Sequence, residues 1–270
     1  MAAVGSMNVP PYRQRFHLRI ASIMHTWEPG TNTNAGATID TAADPIEVFR
    51  RAWGTYRKVI RENYMFHREI SAAQRKILDT VPGAVDVLDL GCGDASQIGE
   101  MFDAGKIGTY CGCDLSSHAL DEARHHLEPL GKRARLLCRD MLAVLRESPG
   151  EHFDVVYSSY AMHHLPQEEK QEFFHECRRV LRRNGMLILA DIMREEGETL
   201  TDYFDRYIER MDADWVMLSM NERNSIQEHI RSCDFPEPPS LLKSMAAQAG
   251  FRDSQNLEKQ TWHQAWRFGA

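Results

Sequence analysis

At 270 residues, with 43% apolar and 26% charged side chains, the chain can bury one large core or a core with an added cap, and its composition is ordinary for a globular protein. A net charge of −7 argues against bulk electrostatic binding of nucleic acid, and no run approaches the roughly 18 apolar residues of a membrane span. Six cysteines, none in a C-x-x-C pair and at least three in strand-like segments, read as reduced, mostly buried thiols of a cytoplasmic protein.

Residues 1–44 read as a flexible N-terminal tail. The first 27 carry Arg13, Arg15 and Arg19 and no acid, which suits a plain tail and also an organelle transit peptide, while 28–44 are small and polar. Residues 45–82 form a predicted N-terminal helical lid. Ile46, Phe49, Trp53, Tyr56, Ile60, Tyr64, His67 and Ile70 recur at spacings of three and four and make one stripe, which Pro82-Gly83 ends.

From residue 83 to 270 the chain reads as one domain. Apolar strand candidates at 85–90, 110–113, 134–138, 155–158 and 186–190 alternate with helical patterns, with Asn184-Gly185 as a turn before the fifth. That rhythm implies βαβ units and a parallel sheet covered on both faces. Arg178, Arg179, Arg182 and Arg183 read as the solvated face of a helix. After Asp191 the rhythm breaks: 195–232 is a helical insertion of two helices, 241–249 is another helix, and closing strands fall near 256–257 and 261–268.

The chemistry concentrates at the strand ends. Val87 to Leu90 run into Gly91-Cys92-Gly93, a turn that bends tightly and lets a ligand approach, with N–H groups at the next helix start suited to an anion. Asp114 ends the second strand a little over 20 residues later, where an acid either accepts from both hydroxyls of a ribose or caps the helix that follows. Asp140 follows the third strand, where it either reads an adenine amino group, with the Met141 N–H facing a ring nitrogen, or caps a helix.

These residues, together with Phe153-Asp154-Val155-Val156 leading into Met162-His163-His164-Leu165 and the Leu181–Asp191 segment, resemble class I S-adenosylmethionine-dependent methyltransferases, with the closest look to the ubiquinone-biosynthesis-like, small-molecule branch. The resemblance covers roughly 84–192, with a tail at 239–268. It implies an α/β, Rossmann-like seven-stranded sheet whose last strand is antiparallel, helices on both faces, and S-adenosyl-L-methionine across the carboxyl ends of strands one to four. In that frame Gly91, Cys92 and Gly93 border the methionine part and Asp89 orients its amino group or the turn. Asp114 holds the ribose, Leu115 packs on adenine, Asp140 and Met141 read the adenine edge, and Ser158 or Ser159 lines the floor. Ala95 stands where a third glycine is frequent.

The cofactor supplies the leaving group, so the protein has mainly to place a nucleophile and exclude water, with a base for an oxygen or nitrogen acceptor. Tyr160, His163 and His164 are the candidates beside strand four, the two histidines with packing of the turn before the helix as the alternative; in the lid, His67 is a candidate base and Tyr64 a cofactor contact near the methyl, both with a core-packing role as the alternative. Adjacent histidines should point in different directions, so no metal ion is expected; His125 and His126 take no role. Tyr203, Phe204, Tyr207, Met211, Trp215, Met217 and Met220 wall a substrate pocket or simply pack, and the acids at 195–212 suit a cationic substrate or a solvated face. The sequence therefore predicts an enzyme that methylates a small molecule, without nucleic-acid or membrane partners, as monomer or homodimer.

Three rivals stand beside it. A protein or nucleic-acid methyltransferase is the first alternative; Asn8-Val9-Pro10-Pro11-Tyr12 superficially resembles the Asn-Pro-Pro-Tyr motif of amino-group methylating enzymes, but it carries an inserted valine and lies in the tail, so the motif is discounted. An NAD-dependent oxidoreductase fits less well at Ser96 and after strand four. A catalytically silent binding module is compatible with every motif.

Overall fold

The computed structural model describes the backbone of residues 45–270 and the side chains from Trp53 onward. The tail at 1–44, with its Asn8–Tyr12 motif, lies outside the described residues, as do the side chains of Ile46 and Phe49. The chain divides into two units at Arg57, and the sheet belongs to the second, Lys58–Ala270. Residues 58–82, assigned to a lid by sequence, are thus part of the sheet-bearing unit.

The predicted N-terminal stripe is two helices, α1 (Pro45–Arg61) and α2 (His67–Leu78). The break comes at Asn63 and Phe66, both with φ 58°. Asparagine tolerates that left-handed region because its short amide bonds locally. Here the Asn63 Oδ1 accepts the Arg68 N–H at 3.0 Å and its Nδ2 donates to Glu69 at 2.8 Å, which a spacing pattern of apolar residues does not record.

The sheet has seven strands: β1 (Val85–Leu90), β2 (Ile107–Asp114), β3 (Ala134–Cys138), β4 (Phe153–Ser159), β5 (Leu181–Ile192), β6 (Asp253–Gln260) and β7 (His263–Gly269). Their order is 3-2-1-4-5-7-6, parallel from β3 to β5, with β7 antiparallel to both β5 and β6. The apolar runs β1, β4 and β5 are central and buried on both faces, as parallel strands require. The helices α3 (Ser96–Met101), α4 (Ser117–His126), α5 (Met141–Glu147) and α6 (Gln167–Val180) follow β1 to β4 in turn. One core packs Leu88, Leu90, Phe173, Phe174, Leu187 and Phe268, and the opposite one packs Val87, Ile98, Tyr110, Val155 and Ile188.

Asn184-Gly185, expected as a turn before β5, instead lies inside it. Leu181 pairs with Phe153 and Met186 with Val155, so the extra residues bulge out. A Cβ on Gly185 would sit 2.9 Å from the Asp154 carbonyl oxygen. Part of the arginine cluster is also structural: Arg179 donates to the carbonyls of Ser148 (2.9 Å) and Leu145 (2.7 Å), and Arg182 spans Asp154 (2.6 Å) and Asp86 (2.9 Å).

After β5 come α7 (Leu200–Asp214), α8 (Met220–Cys233) and α9 (Pro239–Gln248). Both α7 and α8 open with a capping box, Thr199 with Asp202 and Ser219 with Glu222, so each helix start satisfies its own N–H groups. Their apolar faces join a third core of Tyr160, Ile192, Tyr203, Tyr207, Trp215 and Trp262. Gly185→Ala is expected to cost about 1–3 kcal/mol through overpacking at the bulge, seen as a lower urea midpoint with an unchanged slope.

Candidate active site

Strand order reverses between β1 and β4, so their carboxyl ends leave a crevice. The turn after β1 is bent by Gly91 (φ 75°), Gly93 (φ 53°) and Ala95 (φ 55°, ψ 17°). Ala95 thus takes the conformation for which a glycine would be the easier residue. Gly91 is needed on two counts, since a Cβ there would collide with that of Ala161 in the loop after β4. The N–H groups of Gly91 and Cys92 both donate to the Cys113 carbonyl, at 2.9 and 3.0 Å, which binds the turn to the end of β2.

Asp114 reaches across that junction. Its Oδ2 accepts the Gly93 N–H at 2.9 Å and its Oδ1 the Ser116 N–H at 2.8 Å. Burial pushes this carboxyl up, opposed by backbone donors of Ser116, Gly93 and Leu115. Ser116, not Asp114, caps α4. Leu115 next to it is 38% exposed, an apolar side chain left open at the crevice. Asp140 is the cap of α5, its Oδ1 accepting the Ala143 N–H at 2.9 Å, and the half-buried Met141 begins that helix.

The remaining candidates have partners of their own. The N–H of Ser96 at the start of α3 is taken by Asp94 at 3.0 Å, so that N–H is not free for an anion. Ser158 is fully buried and donates to the Leu90 carbonyl at 2.9 Å, tying β4 to β1, while Ser159 is half-buried. Tyr64 stacks on Trp215 (5.1 Å, 7°) and accepts the Met217 N–H at 2.8 Å, so it holds the insertion. The exposed His126 has its Nδ1 2.8 Å from the Asp94 carbonyl oxygen.

Asp89 lies beneath the turn, 2% exposed, and accepts from the Tyr110 hydroxyl at 2.7 Å. Burial holds its carboxyl up at about 7; the Tyr110 hydrogen bond works against this and the Asp114 charge with it.

On the far side of β4, Tyr160 adopts φ 51° and its hydroxyl donates to the Met65 carbonyl. The rings of His67 and Tyr160 are 4.8 Å apart. Burial pulls the His67 imidazole down to about 4, against the charge of Glu69, and so keeps it neutral near pH 7. His263 is also buried, with its Nε2 2.9 Å from the Tyr207 hydroxyl.

His163 and His164 do not diverge. They sit in the single 3-10 turn Met162–His164, with ring centroids 4.0 Å apart, and both approach Asp234 Oδ1, His163 Nε2 at 3.6 Å and His164 Nδ1 at 3.3 Å. The Nδ1 of His163 bonds Asp191 Oδ1, and Asp191 Oδ2 accepts the His163 backbone N–H at 3.0 Å. Despite the opposing effect of burial, the charges of Asp191 and Asp234 raise the His163 imidazole above its ordinary value. Sequence reasoning missed Asp191 and Asp234 as partners. Asp191 at a strand end was a readable signal; Asp234 comes from the end of the insertion and was not.

The Gly91 turn, the aimed Asp114 and the open Leu115 fit a nucleoside carrying an amino-acid tail. The family model "Methyltransferase domain" matches residues 87–185. An uncharacterized methyltransferase of Geobacillus thermodenitrificans is 31% identical over 155 residues, 57% of this chain and 69% of the relative. The phosphoethanolamine N-methyltransferase of Plasmodium falciparum is 25% identical over 182 residues, 67% of this chain; the chain spans 65% of that relative's length. The Burkholderia thailandensis 1,6-didemethyltoxoflavin-N1-methyltransferase, solved with its substrate and S-adenosylhomocysteine, has the same fold: TM-score 0.54 at 14% identity, covering 87% of this chain and 92% of that one. The chain belongs to the class I S-adenosylmethionine-dependent methyltransferases.

Two outcomes follow from this geometry. Gly91→Ala should lower the melting temperature by several degrees and abolish the rise that S-adenosylhomocysteine gives the native chain. For Asp89 the raised carboxyl keeps its proton in the folded state between about pH 4 and about pH 7, where the unfolded chain loses it. This group therefore costs stability increasingly as pH rises through that window, by up to about 1.4 kcal/mol per pH unit, and the cost is constant above it. Asp89→Asn should flatten the fall in melting temperature across the window.

Proposed function

We propose that this protein transfers the methyl group of S-adenosylmethionine to a small-molecule acceptor bound beneath the helical insertion. The observation that carries the reading is the Asp114 carboxylate, set at the tip of β2 and facing the glycine turn through Gly93 at 2.9 Å. Asp114 would hold the ribose hydroxyls, Leu115 would cover adenine, Asp140 and Met141 would face its edge, and Gly91, Cys92 and Gly93 would border the methionine part. Bound there, the cofactor supplies a sulfonium leaving group whose methyl is attacked in line.

The chain's own residues do the rest. Tyr160 and His67 would form the floor of the acceptor side, where His67, kept neutral by burial, would orient the acceptor by a hydrogen bond, because an imidazole pulled down to about 4 is a weak base near pH 7. His163 is held between two carboxylates and positions the loop after β4. The aromatic core of Tyr203, Tyr207, Trp215 and Trp262 would form an apolar wall behind the acceptor side. Among the similar proteins, a phosphoethanolamine N-methyltransferase and a didemethyltoxoflavin methyltransferase support a small acceptor, whereas the N-terminal Xaa-Pro-Lys N-methyltransferase 1 of Mus musculus, 33% identical over 89 residues, supports the alternative of a protein acceptor. Among the described residues all six cysteines are free and no helix is long and apolar enough to cross a membrane, which supports a cytoplasmic location.

Incubation with methyl-labelled cofactor and fractionated metabolites should label a small molecule; label in macromolecules alone overturns the acceptor class. Asp114→Ala should weaken S-adenosylhomocysteine binding about 10- to 100-fold by calorimetry, because charge-assisted bonds to the sugar are lost.

A further inference from the structure

Beside the loop after β4, one buried carboxylate oxygen faces three imidazoles. Asp234 is 3% exposed and its Oδ1 has no hydrogen-bond partner. Yet it lies 3.6 Å from His163 Nε2, 3.3 Å from His164 Nδ1 and 3.7 Å from His229 Nε2. These separations exceed an ordinary hydrogen bond of about 2.7–3.2 Å. They are close to the edges of a tetrahedron of nitrogen and oxygen ligands on zinc, about 3.3–3.5 Å for bonds near 2.1 Å. The donor atoms of His163, His164 and Asp234 all lie within 4.8 Å of one another.

We propose that His163, His164 and Asp234, completed by His229, bind a divalent transition-metal ion of the zinc type. Three imidazoles and one carboxylate select zinc-like ions over magnesium or calcium, which take oxygen ligands. The supporting shell is in place. His163 turns its Nδ1 to Asp191 Oδ1, leaving Nε2 for the metal, the carboxylate–histidine arrangement that fixes a metal-binding imidazole. Asp191 is itself fixed by the N–H groups of His163 (3.0 Å) and Ile192 (2.9 Å).

The backbone brings the two halves of the site together without the ion. The Phe235 N–H donates to the His163 carbonyl at 2.8 Å, and the buried Lys170 ammonium donates to the carbonyls of Leu165, at 2.7 Å, and Phe235. His164 Nδ1 also lies 3.3 Å from the Cys233 carbonyl oxygen, a long contact that the metal would replace. His229 is on α8 and Asp234 directly follows it, whereas His163 and His164 follow β4. A metal held by these three donors, with His229 Nε2 3.7 Å from Asp234 Oδ1 as the fourth, would clamp the insertion to the sheet, as structural zinc sites do.

The test uses the full chain, stripped with chelator and dialysed. Zinc chloride should bind at one equivalent by calorimetry and raise the melting temperature. Cobalt chloride should give the intense visible bands of a tetrahedral site. His164→Ala, at a half-buried position, should weaken zinc binding at least 10-fold, and Asp191→Asn about 10- to 100-fold, while both variants still bind S-adenosylhomocysteine, which shows that they are folded. Absence of stoichiometric uptake by the native chain, or equal zinc affinity in His164→Ala, overturns the proposal; neither result bears on cofactor binding at the β1 turn.

Discussion

The architecture depends on how closely the turn after β1 runs beside the loop after β4. At Gly91 there is no room for even a methyl group against Ala161, and the backbone is at φ 75°. That approach holds the carboxyl ends of β1 and β4 together, and the turn's bonds to the Cys113 carbonyl bring the tip of β2 beside them. Asp114 and Leu115 stand there, one offering a carboxylate and the other bare hydrocarbon. A nucleoside needs both at once, a polar grip for the sugar and an apolar surface for the base.

Buried acids around this junction are treated unequally. Asp191 receives two backbone N–H groups and an imidazole, whereas Asp89 has the Tyr110 hydroxyl and a like charge nearby. The first arrangement is structural, because a fully bonded carboxylate is at ease in a low dielectric. The second leaves a carboxyl whose ionisation responds to positive charge arriving above it. A cofactor that carries a sulfonium and an ammonium brings such charge to the turn.

The sheet was readable because buried parallel strands must be apolar along their whole length, and β1, β4 and β5 are. The glycine turn and Asp114 were readable because a short backbone device stays within one stretch of chain. The break at Asn63 was not, since an asparagine bonding its own turn competes with helical spacing only once the local backbone is known. Nor was the convergence of His163 and His164, which is set by Asp234 on the far side of two helices. Spacing of the histidines alone suggested divergence, and tertiary contact decided otherwise. The arginine cluster shows the same limit: Arg179 and Arg182 bond partners that no helical pattern reveals.

Each helix of the insertion carries its own start signal, Thr199 with Asp202 and Ser219 with Glu222, and borrows no cap from the sheet. The exposed faces of helices that cap themselves can change without altering their start signals, while their buried aromatic faces remain tied to the core they share with Ile192 and Trp262. Selection can then reshape the exposed side of the insertion while the turn after β1 keeps its form. Among descendants of such a chain, substrate range should diverge faster than cofactor choice.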